Sequence, residues 1–60
     1  MSFMEVLKMY KVSHKHIDLV EVWNTIEEVE LFIKVSVMTN NRLRLTPKRD
    51  SRKNYIIEKL

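Results

Sequence analysis

Ile17-Asp18-Leu19-Val20-Glu21-Val22-Trp23-Asn24-Thr25 is the stretch on which the fold turns. Read as a strand, it sends Ile17, Leu19 and Trp23 to one side and Val20 and Val22 to the other. Read as a helix, Leu19, Val22, Trp23, Ile26, Val29 and Ile33 make one stripe, and Asp18-x-x-Glu21 caps a helix over 19–38. Val20, Val22, Asn24 and Thr25 decide between the two. A run of β-branched and turn-forming residues has poor helix propensity and suits a strand that stops before residue 26.

The remaining elements follow outward from that choice. Thr25-Ile26-Glu27-Glu28 is a capping-box start with acids in the first turn. Ile26, Val29, Ile33 and Val37 then recur at helical spacing, with Phe32 and Ser36 alongside. Asn40-Asn41 offers a stop, so a helix is expected over 26–38. On the other side, Ser13-His14-Lys15-His16 reads as a turn joining the strand to an earlier one over 6–13. Beyond the helix, Arg42-Leu43-Arg44-Leu45-Thr46 alternates as a half-buried strand does, and 54–60 reads as a last strand. The expected fold is a single α+β domain over 1–60 of β-β-α-β-β order, an antiparallel sheet with the helix on one face. The alternative is a three-helix domain, its first helix capped by Ser2-x-x-Glu5 and its third opened by Thr46-Pro47.

Sixty residues leave a thin margin of stability. Without cysteine there is no disulfide or common zinc framework to add to it, so association with another chain is expected, most simply as a homodimer. No secretory signal pattern opens the sequence, and no apolar run approaches the roughly 20 residues that span a membrane. A cytoplasmic protein with no membrane contact is therefore expected. With no glycine, turns must use other residues, and Gly-rich phosphate loops are ruled out.

Little in the chain suggests chemistry. His14, His16 and Asp18 alternate, the spacing of a metal pair on a strand, but no third shell accompanies them and two solvated histidines in a turn explain them as well. Ser2, Ser13, Ser36 and Ser51 have no triad context. Glu27, Glu28 and Glu30 suit the helix dipole and solvation. Neither a catalytic residue nor a metal or cofactor is expected.

Charge is unevenly placed. Residues 41–60 hold seven of the eleven Lys and Arg residues and two acids, whereas 1–40 hold four bases and six acids. On a strand, Arg42 and Arg44 would share a face opposite Leu43 and Leu45, and Lys48, Arg49, Arg52 and Lys53 would extend the charge into a loop. Such a surface suits phosphates or an acidic partner. The strands also carry apolar residues on both sides while one helix covers only one. The surplus side, anchored by Tyr10, Trp23 or Tyr55, is expected to meet a partner. Two functions fit these features. One is a small non-enzymatic module that binds a protein and acts by occluding its surface, as size alone would suit a phage or mobile-element inhibitor of a host factor. The other is a nucleic-acid-binding protein using Arg42, Arg44, Lys48, Arg49, Arg52 and Lys53.

Overall fold

A computed structural model describes residues 9–60. The start of the expected first strand (6–8) and the Ser2-x-x-Glu5 cap lie outside these residues. Among these residues are three strands and one helix: β1 (Tyr10–His14), β2 (Val20–Trp23), α1 (Ile26–Leu43) and β3 (Tyr55–Lys59). A single 3-10 turn, Arg52–Asn54, leads into β3. The sheet is antiparallel in the order β2-β1-β3, so the domain is α+β and not a three-helix bundle. The stretch 20–23 is a strand, as its β-branched residues require.

Strand pairing sets the faces. Val12 stands opposite Glu21 on one side and Ile57 on the other, while Ser13 stands between Val20 and Ile56. One face therefore carries Tyr10, Val12, His14, Trp23, Tyr55 and Ile57, and the other Lys11, Ser13, Val20, Val22, Ile56 and Glu58. α1 lies against the first face. Val12, Val29, Ile33 and Tyr55 form the buried core, with Tyr10, Leu19, Trp23, Phe32, Val37 and Ile57 packed around it. Trp23 and Phe32 close one end, ring centroids 5.5 Å apart. The three aromatic residues expected to anchor a surplus face are thus on the covered one. Tyr55 is in the core, and Tyr10 and Trp23 are half-buried beside it. The open face instead exposes Val20, Val22 and Ile56.

α1 begins as expected and ends later. The Thr25 hydroxyl accepts from the Glu28 N–H at 3.2 Å, and the Glu28 carboxylate accepts from the Thr25 N–H at 3.1 Å, completing the capping box. The helix does not stop at Asn40-Asn41 but runs to Leu43, and Arg44 takes the left-handed conformation at its end (φ 55°, ψ 47°). A residue with a Cβ pays roughly 1–2 kcal/mol there. Both Arg44 N–H and Leu45 N–H donate to the Asn40 carbonyl, which satisfies the helix end. The expected strand at 42–46 is therefore absent: Arg42 and Leu43 complete the helix, and 44–46 turn away from it. Their alternation carried no burial, since Leu43 and Leu45 are both exposed. None of the described helices is long and apolar enough to cross a membrane.

Candidate functional site

The inward stripe of α1 runs Val29, Ile33, Ser36, Asn40. Its second half is polar, and a polar side chain turned into a core needs partners. They come from the segment after the helix. Asp50 is 2% exposed, and its carboxylate lies against β1, β3 and α1 together. His14 Nε2 and Asn54 Nδ2 donate to Oδ1 at 2.8 and 2.9 Å. Tyr55 Oη and Asn40 Nδ2 donate to Oδ2 at 2.7 and 2.8 Å. Four donors fill the four lone-pair positions of a carboxylate.

The protons in this cluster can be placed. Tyr55 Oη also lies 2.8 Å from Ser36 Oγ. A phenol has one proton and a carboxylate can only accept, so the phenol donates to Asp50 and Ser36 donates to the phenol. His14 Nδ1 accepts from the His16 N–H at 3.0 Å, which leaves the imidazole proton on Nε2, facing Asp50. Burial by itself pushes the Asp50 carboxyl up. The hydrogen bonds from Asn40, Asn54, Tyr55 and His14 outweigh it together and hold the group well below the usual carboxylate range. Burial raises the Tyr55 phenol, and the neighbouring Asp50 charge adds to that rise.

Asp50 is gripped at its backbone as well. Asn41 Oδ1 accepts from the Asp50 N–H at 2.6 Å, and Asn41 Nδ2 donates to the Asp50 carbonyl at 3.1 Å. These two bonds pin the loop between α1 and β3 to the end of the helix. Within it, the Thr46 hydroxyl donates to the Lys48 carbonyl at 2.6 Å. Lys15 N–H donates to the Asn54 carbonyl at 2.9 Å, joining the β1–β2 connection to the same loop.

What the cluster holds up is basic. His16, Lys48, Arg49, Lys53 and Asn54 line a shallow cleft of about 350 Å3 above Thr46 and Pro47. Each wall hangs from Asp50: His16 through the His14 ring, Lys48 and Arg49 through the chain next to it, and Lys53 through Asn54. Arg44 opens onto a neighbouring cleft of about 260 Å3 with Lys48 and Arg49, so the two share a rim. Among the described residues, the Asp50 and Glu30 carboxylates engage His14 and Arg52, and no carboxylate pairs with a base of the cleft.

The structure divides the six basic residues named from sequence. Lys48, Arg49 and Lys53 come together, with Arg44 at the edge. Arg42 belongs to the last turn of α1, where it suits the negative end of the dipole. Arg52 points the other way. Its guanidinium holds both carboxylate oxygens of Glu30 on α1 by hydrogen bonds and charge, which keeps the Glu30 carboxyl below its usual value. Arg52 therefore braces the loop against the helix and adds little to the cleft. The histidines do not form a metal pair: His14 is buried with both nitrogens engaged, and His16 and Asp18 are exposed. Among the described residues, no three His, Cys, Asp or Glu side chains gather to hold an ion.

Ser36, Asn40, Asp50 and Asn54 were not singled out for this role in the sequence, where they read as helix filler, helix stop, loop and strand start. One signal was available. The apolar stripe Val29, Ile33 continues in register into Ser36 and Asn40, which requires a buried polar partner elsewhere. No family model, curated protein or solved structure matches the chain.

Proposed function

We propose that the chain is a small non-enzymatic binding module that docks a protein partner along the outward face of α1 and acts by covering the surface it meets. One observation carries this reading. Leu31, Val35 and Met38 are 63, 53 and 63% exposed on a single stripe of the helix. Against four buried core hydrophobics among the described residues, that is a large apolar surface to leave in solvent. The stripe runs into a cleft of about 470 Å3 lined by Val35, Met38, Arg42 and Arg49, so the apolar face has a basic end suited to an acidic partner. The bases steer and orient; the apolar stripe supplies affinity. A cytoplasmic setting fits this role.

A photo-crosslinking side chain placed at Val35, with one at Ile56 on the open sheet face as control, tests it. The expected product is one discrete adduct from Val35, whose purified components bind through moderate salt and lose binding with Val35→Asp. Adducts of equal yield from both positions would overturn the reading.

The basic cleft favours a second reading, in which Lys48, Arg49 and Lys53 track the phosphates of a nucleic acid. Binding would then fall steeply with salt and vanish on charge reversal of those three residues, with Val35→Asp having no effect.

A further inference from the structure

The outward seam of α1 has a symmetry that its inward stripe lacks. Glu28, Leu31, Val35, Met38 and Arg42 recur at spacings of three and four, and all five are exposed. At about 100° per residue they fall within a stripe roughly 80° wide. Val35 lies at the middle. Glu28 precedes it by seven residues and Arg42 follows it by seven, each about 10 Å along the axis. Leu31 and Met38 flank it one turn either way.

This arrangement fits itself. Turned end to end about a two-fold axis through Val35, a second copy brings its Arg42 to Glu28 and its Glu28 to Arg42. It also sets Met38 near Leu31 and Val35 on Val35. A parallel pairing would oppose Glu28 to Glu28 and Arg42 to Arg42, and the antiparallel one also opposes the helix dipoles favourably. Two further features suit the same occupant. Beside the first half of the seam, Trp23, Leu31, Phe32 and Val35 wall an apolar cleft of about 330 Å3, space for a methionine side chain from the facing helix. The Glu28 carboxylate is already fixed, because Thr25 N–H and Thr25 Oγ1 both donate to its Oε1 at 3.1 Å. Its Oε2 has no partner among the described residues, so a guanidinium meets an acceptor whose rotamer is already set.

We propose that the partner seated on the outward face of α1 is a second copy of the chain, paired antiparallel about Val35. The proposal rests on reading that face as the docking surface and names its occupant. Isologous pairing of this kind uses one patch twice, so every contact on the seam counts two times in the dimer.

Sedimentation of the full chain over a range of concentrations tests the pairing, with circular dichroism confirming that each variant is folded. Wild type is expected to dimerise and Val35→Asp to remain monomeric. Glu28→Lys and Arg42→Glu each place like charges at both ends of the seam, and each is expected to weaken the dimer about tenfold. Their equimolar mixture restores both ion pairs and is expected to recover wild-type affinity as a heterodimer. Glu28→Gln keeps the capping box and removes the charge, so it weakens the dimer while costing the monomer only the small helix-dipole contribution. A wild type that stays monomeric at the highest soluble concentration overturns the pairing, and the docking face then stands or falls on the Val35 crosslink. A dimer indifferent to Val35→Asp overturns both. A dimer that Val35→Asp breaks, but whose charge variants behave alike alone and mixed, overturns the antiparallel arrangement.

Discussion

The two halves of the inward stripe of α1 bury different things for different ends. Val29 and Ile33 meet Val12 and Tyr55, and that contact is non-directional: it favours burial without dictating which neighbour supplies it. Ser36 and Asn40 meet Asp50 and the Tyr55 hydroxyl, and there each donor needs a particular acceptor. The apolar half holds the helix on the sheet. The polar half decides where the loop after the helix must lie, and so where Lys48, Arg49 and Lys53 stand. A core of this size achieves a defined loop without glycine by spending its buried polar groups on one carboxylate.

If that division is right, breaking the hub should cost more than an equal truncation in the apolar half. Asp50→Leu strands four donors and is expected to lose about 4 kcal/mol, enough to unfold much of the population. Urea titration followed by circular dichroism reads this, and a loss below that of Ile33→Ala would break the comparison. Ile33→Ala leaves a cavity and is expected to cost about 3 kcal/mol in the same titration. It should leave the loop protected from proteolysis wherever the chain is folded, since the polar anchor is untouched.

Smaller changes sharpen the contrast. Tyr55→Phe keeps the ring in the core and removes one donor from Asp50, with an expected cost of about 1.5 kcal/mol. Amide exchange should rise in 44–54 before it rises in β1. Acid acts through the same hub. The folded Asp50 carboxyl titrates below its unfolded value of about 3.9, so its contribution is complete above that pH and drains away as pH falls toward the folded value. Thermal melts from neutral to strongly acid pH should therefore show a fall that Asp50→Asn flattens. Arg52→Ala removes only an exposed ion pair with Glu30, and its melting curve is expected to overlie wild type.

Much of the frame was legible before the fold was known. Thr25 and Glu28 announced the helix start because a capping box is local, needing only residues three apart. Val20 and Val22 marked a strand because β-branched side chains crowd a helix. Alternation left open which side of each strand the helix covers, and Tyr10, Trp23 and Tyr55, expected on the surplus side, face the helix instead. Arg42-Leu43-Arg44-Leu45 misled because a period of two counts only where one side is buried, and the turn at Arg44 leaves both sides in water. Asn40 misled as well. Its tolerance of a left-handed backbone suggested a helix stop, when its side chain was needed inside the helix as a donor to Asp50.

By itself, then, the sequence determined the elements whose causes lie within a few residues: the capped helix, the β-branched strands and the basic last third. Only the tertiary structure decided what the polar residues do. His14, Asn40, Asp50 and Tyr55 lie up to 41 residues apart along the chain and become one site only when β1, α1 and β3 close around a single carboxylate. Hydrogen bonds of that kind depend on direction and distance in space, and no pattern along the chain encodes them.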